Sequence, residues 1–86
     1  MKILLHGDFE KQYQKLNEHQ RQRFRERRDL FLENPFHPLL NNHELHRQYR
    51  GYRSINITGD LRAIYEEINS DTVHFIALGT HPELYG

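Results

Sequence analysis

The sequence predicts an α+β fold with the order β-α-α-β-β-β, a small antiparallel sheet with a helical hairpin on one face. Three observations point to it. The first third carries apolar residues at helical spacing. The last third is a series of β-rich runs. Two tight turns, Thr58-Gly59-Asp60 and Asn69-Ser70-Asp71, join those runs into a meander. Runs of helix followed by runs of strand, rather than their alternation, define the α+β class.

Each element has its own signal. Residues 2–6 (KILLH) read as a short, largely buried first strand, which Gly7-Asp8 ends. Asp8 is the expected N-cap of a helix bearing Phe9, Tyr13 and Leu16 at i, i+4 and i+7. A second helix starts near Asn17, with Gln20 placed as its capping-box partner. It runs through Phe24 and Phe31 and stops before Asn34-Pro35, because the residue preceding a proline avoids helical dihedrals. Residues 35–50 read as a connecting segment with two prolines and the pair Asn41-Asn42, and no strand is assigned there. In residues 52–57, Arg53, Ile55 and Ile57 point one way while Tyr52, Ser54 and Asn56 point the other. Residues 61–68 and 72–78 form the second and third strands of the meander. Tyr65 alternates with Leu61 and Ala63 and is expected in the core, whereas Tyr49 and Tyr52 stay open.

At 86 residues the chain is one domain spanning 1–86, small enough to be marginally stable and to lean on a partner. It has no cysteine, hence no disulfide framework and no cysteine-based metal site. No apolar run is long enough to span a membrane, and no signal-peptide core follows Met1, so a cytoplasmic protein is expected. The formal net charge of zero conceals a split. All twelve Lys and Arg residues lie within residues 1–62, and the remainder adds only Glu66, Glu67, Asp71 and Glu83. Arg21, Arg23, Arg25, Arg27 and Arg28 spread around the second helix, which suits a solvated or docking surface better than a DNA-reading helix.

Seven histidines direct attention to acid–base chemistry. His43 precedes the meander and His81 follows its last strand. The start of the first meander strand and the end of the third are expected at one edge, where both rings would flank a shallow groove. The same reasoning puts Asp60 and Arg62, at the start of the middle strand, at the opposite end. From spacing alone, idle surface histidines are the favoured reading. Metal-free RNA cleavage needs a base for the 2′-hydroxyl, a cation for the phosphorane and an acid for the leaving 5′-oxygen. Two histidines and an arginine supply all three. A zinc site built from His37, His43 and His46 is the rival, but His43-x-x-His46 lacks a fixed scaffold, so no metal is expected.

Gly51-Tyr52-Arg53, Thr58-Gly59-Asp60-Leu61-Arg62-Ala63-Ile64-Tyr65 and Leu78-Gly79-Thr80-His81-Pro82-Glu83-Leu84-Tyr85-Gly86 resemble the RelE/ParE superfamily of bacterial toxins, nearest its YafQ branch. The resemblance is strong from residue 43 to 86 and weak over the helices. It implies an mRNA interferase toxin of a type II toxin–antitoxin system, which needs no cofactor. Such toxins enter the ribosomal A site beside 16S rRNA, cut the message and are neutralised by an adjacent antitoxin. Residue by residue, it implies catalytic roles for His43, Asp60 and His81, phosphate stabilisation by Arg62 or Arg53, and RNA stacking on Tyr85. Asn56 occupies a position where YafQ has a further histidine; it cannot shuttle a proton, but its amide can bond phosphate or sugar. ParE-like relatives act on a topoisomerase without catalysis, and a degenerate member would bind antitoxin without cutting. His43, Asp60 and His81 discriminate, since a purely binding toxin has no need of them. Zero net charge disfavours tight binding to bare RNA and suits docking that the ribosome supplies.

Overall fold

The computed structural model describes residues 1–85. Its elements are β1 (Lys2–Leu5), α1 (Gly7–Lys15), α2 (Glu18–Glu33), β2 (His43–Glu44), β3 (Arg53–Asn56), β4 (Leu61–Asn69), β5 (Thr72–Thr80) and α3 (His81–Tyr85). Single 3₁₀ turns, Pro38–Leu40 and Arg47–Tyr49, flank β2. The strands form one sheet in the order β1-β5-β4-β3-β2. β3, β4 and β5 make the expected antiparallel meander, and β2 adds antiparallel to β3. β1 joins the other edge in parallel, pairing Lys2 with Thr72 and Leu5 with Phe75.

The hairpin of α1 and α2 covers one face. Apolar residues on alternating strand positions and on the inner helix stripes bury a single cluster of Phe9, Phe24, Phe31, Leu40, Ile55, Ile57, Leu61, Ala63, Tyr65, Val73, Phe75 and Leu78. Phe75 is its hub, with ring centroids 5.6 Å from Phe9, 6.0 Å from Phe24, 5.6 Å from Phe31 and 5.6 Å from Tyr65. These tilted and edge-on contacts are the arrangements aromatic quadrupoles favour. Burial pushes the Tyr65 phenol up from its ordinary pKa, and Asn42 Nδ2 donates to its hydroxyl at 2.8 Å.

The capping box of α2 forms as expected: Asn17 Oδ1 accepts from Gln20 N and Gln20 Oε1 accepts from Asn17 N. The N-cap of α1 is His6 rather than Asp8. His6 Nδ1 accepts from the Asp8 backbone N–H at 3.0 Å, and Asp8 sits in the first turn, where a carboxylate suits the positive helix end. β1 is not largely buried: Leu4 and Leu5 are 40% and 43% exposed, because an edge strand has one neighbour and only Ile3 reaches the main core.

Most of the α2 arginines are spent within the fold. Arg21 donates to Tyr13 O and Gln14 O at the end of α1, satisfying carbonyls that a helix terminus leaves free. Arg25 bonds both the Tyr13 hydroxyl and Glu18, and it holds the exposed Glu18 carboxyl below the usual carboxylate range. Arg27 donates to Ile57 O.

A smaller apolar cluster lies on the opposite face. Ile64, Leu45 and Leu84 are buried there, with Tyr49, Tyr52, Ile76, Ala77 and Tyr85 packed around them. The sheet is thus covered on both faces near the end of β5, by the helical hairpin on one side and by α3 on the other. Phe31 is fully buried against Tyr65 and Phe75. Phe31→Ala is therefore expected to destabilise the fold by about 3–5 kcal/mol. A urea midpoint unchanged from wild type would contradict the packing described.

Candidate active site

Arg62 is the centre of the second face. On β4, Leu61, Ala63 and Tyr65 face the helical hairpin, so Arg62 and Ile64 face away from it. Arg62 pairs across the sheet with Asn56 on β3 and Gly79 on β5. Its Nη1 donates to Asn56 Oδ1, while its buried Nε has no partner within the protein. Asn56 thus orients the guanidinium.

The register Leu61↔Thr80 sets Asp60 and His81 side by side, each one residue beyond that pair. The expectation that Asp60 and Arg62 lie at the opposite end from His81 is therefore corrected. In a meander the middle strand begins where the third one ends, and it is the start of the first strand that lies far away. His43 reaches the site by another route. It stands on β2 opposite Ser54, one strand beyond β3. Its Nδ1 lies 2.8 Å from Asn41 O. A carbonyl only accepts, so Nδ1 carries the proton and Nε2 is the lone-pair nitrogen of the neutral ring.

Two adjoining cavities result. One, of about 400 Å³, is lined by Asn41, His43, Leu45, Arg62, His81 and Tyr85. The other, of about 420 Å³, is lined by Gly59, Asp60, Arg62, Thr80, His81 and Pro82. Arg62 and His81 form the wall common to both. Thr58 Oγ1 accepts from the backbone N–H of Asp60 and of Leu61, which fixes the turn that carries Asp60.

α3 positions His81 and Tyr85, one turn apart with ring centroids 4.7 Å from each other. Five residues cannot hold a helix by themselves, so its ends are tied. At the N-terminus Glu83 Oε1 accepts from Thr80 N at 2.7 Å, and Thr80 Oγ1 accepts from Glu83 N at 3.4 Å, a reciprocal capping box. At the C-terminus Gln48 Nε2 and the Tyr49 hydroxyl both donate to Leu84 O. Gly79 lets α3 lie close to the sheet, since a Cβ there would sit 3.3 Å from Glu83 Cβ. Tyr85 packs edge-on against Tyr49, with centroids 5.6 Å apart, and is part-buried rather than free.

Of the residues singled out by sequence, His43, Asp60, Arg62, His81 and Tyr85 line the two cavities, and Asn56 supports Arg62. Arg53 is not brought there. It shares the hairpin face with Ile55, donates to Asn42 Oδ1 at 2.7 Å and lies over the Phe36 ring, so its guanidinium is engaged elsewhere. His37 caps its own turn by accepting from Leu39 N. Among the described residues no three His, Asp or Glu side chains converge as metal ligands. Glu83 and Gln48 are not singled out by the sequence, and Tyr49 is left open there. The spacing Thr80-x-x-Glu83, with Pro82 in the first turn, carried a readable helix start. Nothing local signals Gln48, whose partner lies thirty-six residues away.

The Thr80 donors hold the Glu83 carboxyl below its ordinary pKa, through the backbone N–H first and the hydroxyl second. A lowered folded-state pKa means that the cap is complete at neutral pH and is lost as acid titrates Glu83 through that lowered value. Thr80→Ala is expected to weaken α3 locally by about 1 kcal/mol, and acid to loosen it in the wild type. Hydrogen exchange at the Leu84 and Tyr85 amides checks both, and unchanged protection would contradict the capping role.

The whole chain, residues 1–86, matches the family model described as the bacterial toxin of the type II toxin–antitoxin system, YafQ. No curated protein sequence matches. Solved structures with the same fold include YafQ from E. coli, at 22% identity and a TM-score of 0.83, covering 99% of this chain and 98% of that one. The E. coli DinJ–YafQ complex aligns at 22% identity and a TM-score of 0.75, over 99% and 98%. The archaeal RelE–RelB complex from Pyrococcus horikoshii aligns at 21% identity and a TM-score of 0.73, over 92% of each chain. With a family model matching from end to end, the chain belongs to the YafQ family of bacterial type II toxin–antitoxin toxins.

Proposed function

We propose that this toxin is a metal-independent endoribonuclease that cuts mRNA, with the ribosomal A site supplying much of the docking surface. The convergence of His43, Arg62 and His81 on adjoining cavities carries the reading. His43 Nε2 takes the proton from a 2′-hydroxyl, and the resulting oxygen attacks the adjacent phosphorus. Arg62, its guanidinium oriented by Asn56, meets the charge on the non-bridging oxygens. The P–O5′ bond breaks and His81 protonates the departing oxygen. The products are a 2′,3′-cyclic phosphate and a 5′-hydroxyl end. Tyr85 offers a ring for a base to stack on at the His43 side. A toxin that only binds a partner has no use for a proton donor and acceptor on either side of a cation.

The partners that follow are mRNA, the ribosome and a cognate antitoxin, by analogy with the DinJ and RelB complexes of the structural relatives. The cytoplasm is the compartment in which such a toxin works, and no helix among the described residues is long and apolar enough to cross a membrane.

Induced expression with primer extension on a reporter message tests the reading. His43→Ala and His81→Ala are each expected to lower cleavage by roughly 10²–10⁴-fold, the usual share of a general acid or base. Thermal melting and capture of the antitoxin should be unchanged. Cleavage at the wild-type level by either variant would remove that residue from the mechanism.

A further inference from the structure

The loop between β2 and β3, His46-Arg47-Gln48-Tyr49-Arg50-Gly51, takes no part in the proposed cleavage step, yet its backbone is strained at one residue. Arg47 has a φ of 63°, in the left-handed region that a residue with a Cβ enters at a cost. Gly51, at φ 90°, is the residue a loop uses when only the turn matters. Strain of this kind gathers where a side chain has a task. Packing gives Arg47 none: it and Arg50 are exposed, and among the described residues no hydrogen bond or ion pair engages either guanidinium.

The loop is nonetheless stiff. Leu45 N donates to Tyr52 O at 2.9 Å and closes it, and Arg50 N donates to Arg47 O at 3.0 Å within it. Its inner residues, Gln48 and Tyr49, are tied to Leu84 O on α3. The loop also continues the rim of the cavity on the His43 side, whose walls include Leu45 and Tyr85. From Tyr85 a run of rings leads into it: Tyr49 lies 5.6 Å from Tyr85, and Tyr52 lies 6.5 Å from Tyr49. No acid lies in the loop, and Glu44 just before it stands opposite Arg53, on the hairpin side of the sheet.

We propose that Arg47, with Arg50 one turn on, holds the phosphates of the message 5′ of the cut, a role that rests on the ribonuclease reading of the site. The nucleoside whose 2′-hydroxyl is deprotonated lies with His43, and it is the one on the 5′ side of the broken bond. The strand upstream of it leaves that cavity past Leu45 and Tyr85 and meets the loop. Guanidinium forks grip phosphate oxygens, and tyrosine faces take unstacked bases of any identity. A basic loop interleaved with aromatic rings and continuous with the cleavage cavity fits single-stranded RNA better than an acidic peptide.

The test uses ribosomes programmed with short messages in which each of the three linkages 5′ of the cut is replaced in turn by an uncharged methylphosphonate. The wild type is expected to cut one of these roughly 5- to 30-fold more slowly than the all-phosphate message, between the worth of an exposed ion pair and that of a charge-assisted hydrogen bond. Arg47→Gly removes the guanidinium and the strain together. It is expected to cut the all-phosphate message more slowly by a similar factor, to be indifferent to the neutral linkage, and to hold or raise the melting temperature. Arg47→Lys should recover part of the rate, and Arg50→Gln should lower it with the same indifference at a neighbouring linkage. Wild-type cleavage by Arg47→Gly would overturn the proposal and leave the ribonuclease reading standing. So would weaker binding of that variant to ribosomes that carry no message, which would make ribosomal RNA the ligand, or loss of antitoxin capture with cleavage intact, which would make the antitoxin the ligand. Failure of the wild type to cut any message would overturn the ribonuclease reading, and this proposal with it.

Discussion

One extra residue in β5 decides what the two faces of this protein contain. Tyr65 pairs with Phe75 and Ile64 with Ala77, so Ile76 is an added residue with no partner of its own. Below this bulge, Val73 and Phe75 point into the aromatic core; beyond it Leu78 does. Ile76 and Ala77 both meet the second cluster. Strict alternation from Phe75 would have turned Leu78 out of the core and Gly79 into it. The bulge restores the parity, so that Leu78 stays in the core and Gly79 comes up beside Arg62, where α3 needs a residue without a side chain. The position of His81 and Tyr85 thus depends on an irregularity at Ile76, five residues before α3 begins.

Much of this was legible in the residues. The Asn17–Gln20 capping box, the stop before Pro35, the two turns and the alternation of residues 52–57 are local signals, and the structure follows them. What was hidden was mostly non-local or short. β2 has two residues and is made a strand only by pairing with β3. α3 has five, too few for a period to show. The bulge falls at Ile-Ala, with no glycine to mark it. The sidedness of Arg53 was legible, since it alternates with Ile55 and Ile57 on the hairpin face; its sign made it look like a phosphate ligand, and its position denied it. The neighbourhood of Asp60 and His81 needed only the direction of an antiparallel strand.

The two faces differ in how firmly they are held. The hairpin face rests on five aromatic rings in mutual contact around Phe75, each fully or almost fully buried. The opposite face has three buried apolar side chains, and α3 is kept on it by one capping box, two hydrogen bonds to Leu84 O and the Tyr49–Tyr85 contact. Few apolar contacts and exposed polar ties mark the low-stability end of a fold. The cavities lined by His43, Arg62 and His81 are thus mounted on the lightly fastened side of a sheet whose other side is rigid.

The hub position of Phe75 also governs when the protein can exist at all. β5 is synthesised after every other strand of the sheet, yet it touches α1, α2, β4 and, through the pairing of residue 2 with residue 72, β1. No shorter nascent chain has these contacts, so the domain has no stable partial form to populate during its own translation. His81 and Tyr85 follow β5 directly. A ribosome making this toxin has therefore synthesised all five strands before the product on it can become a folded, competent molecule.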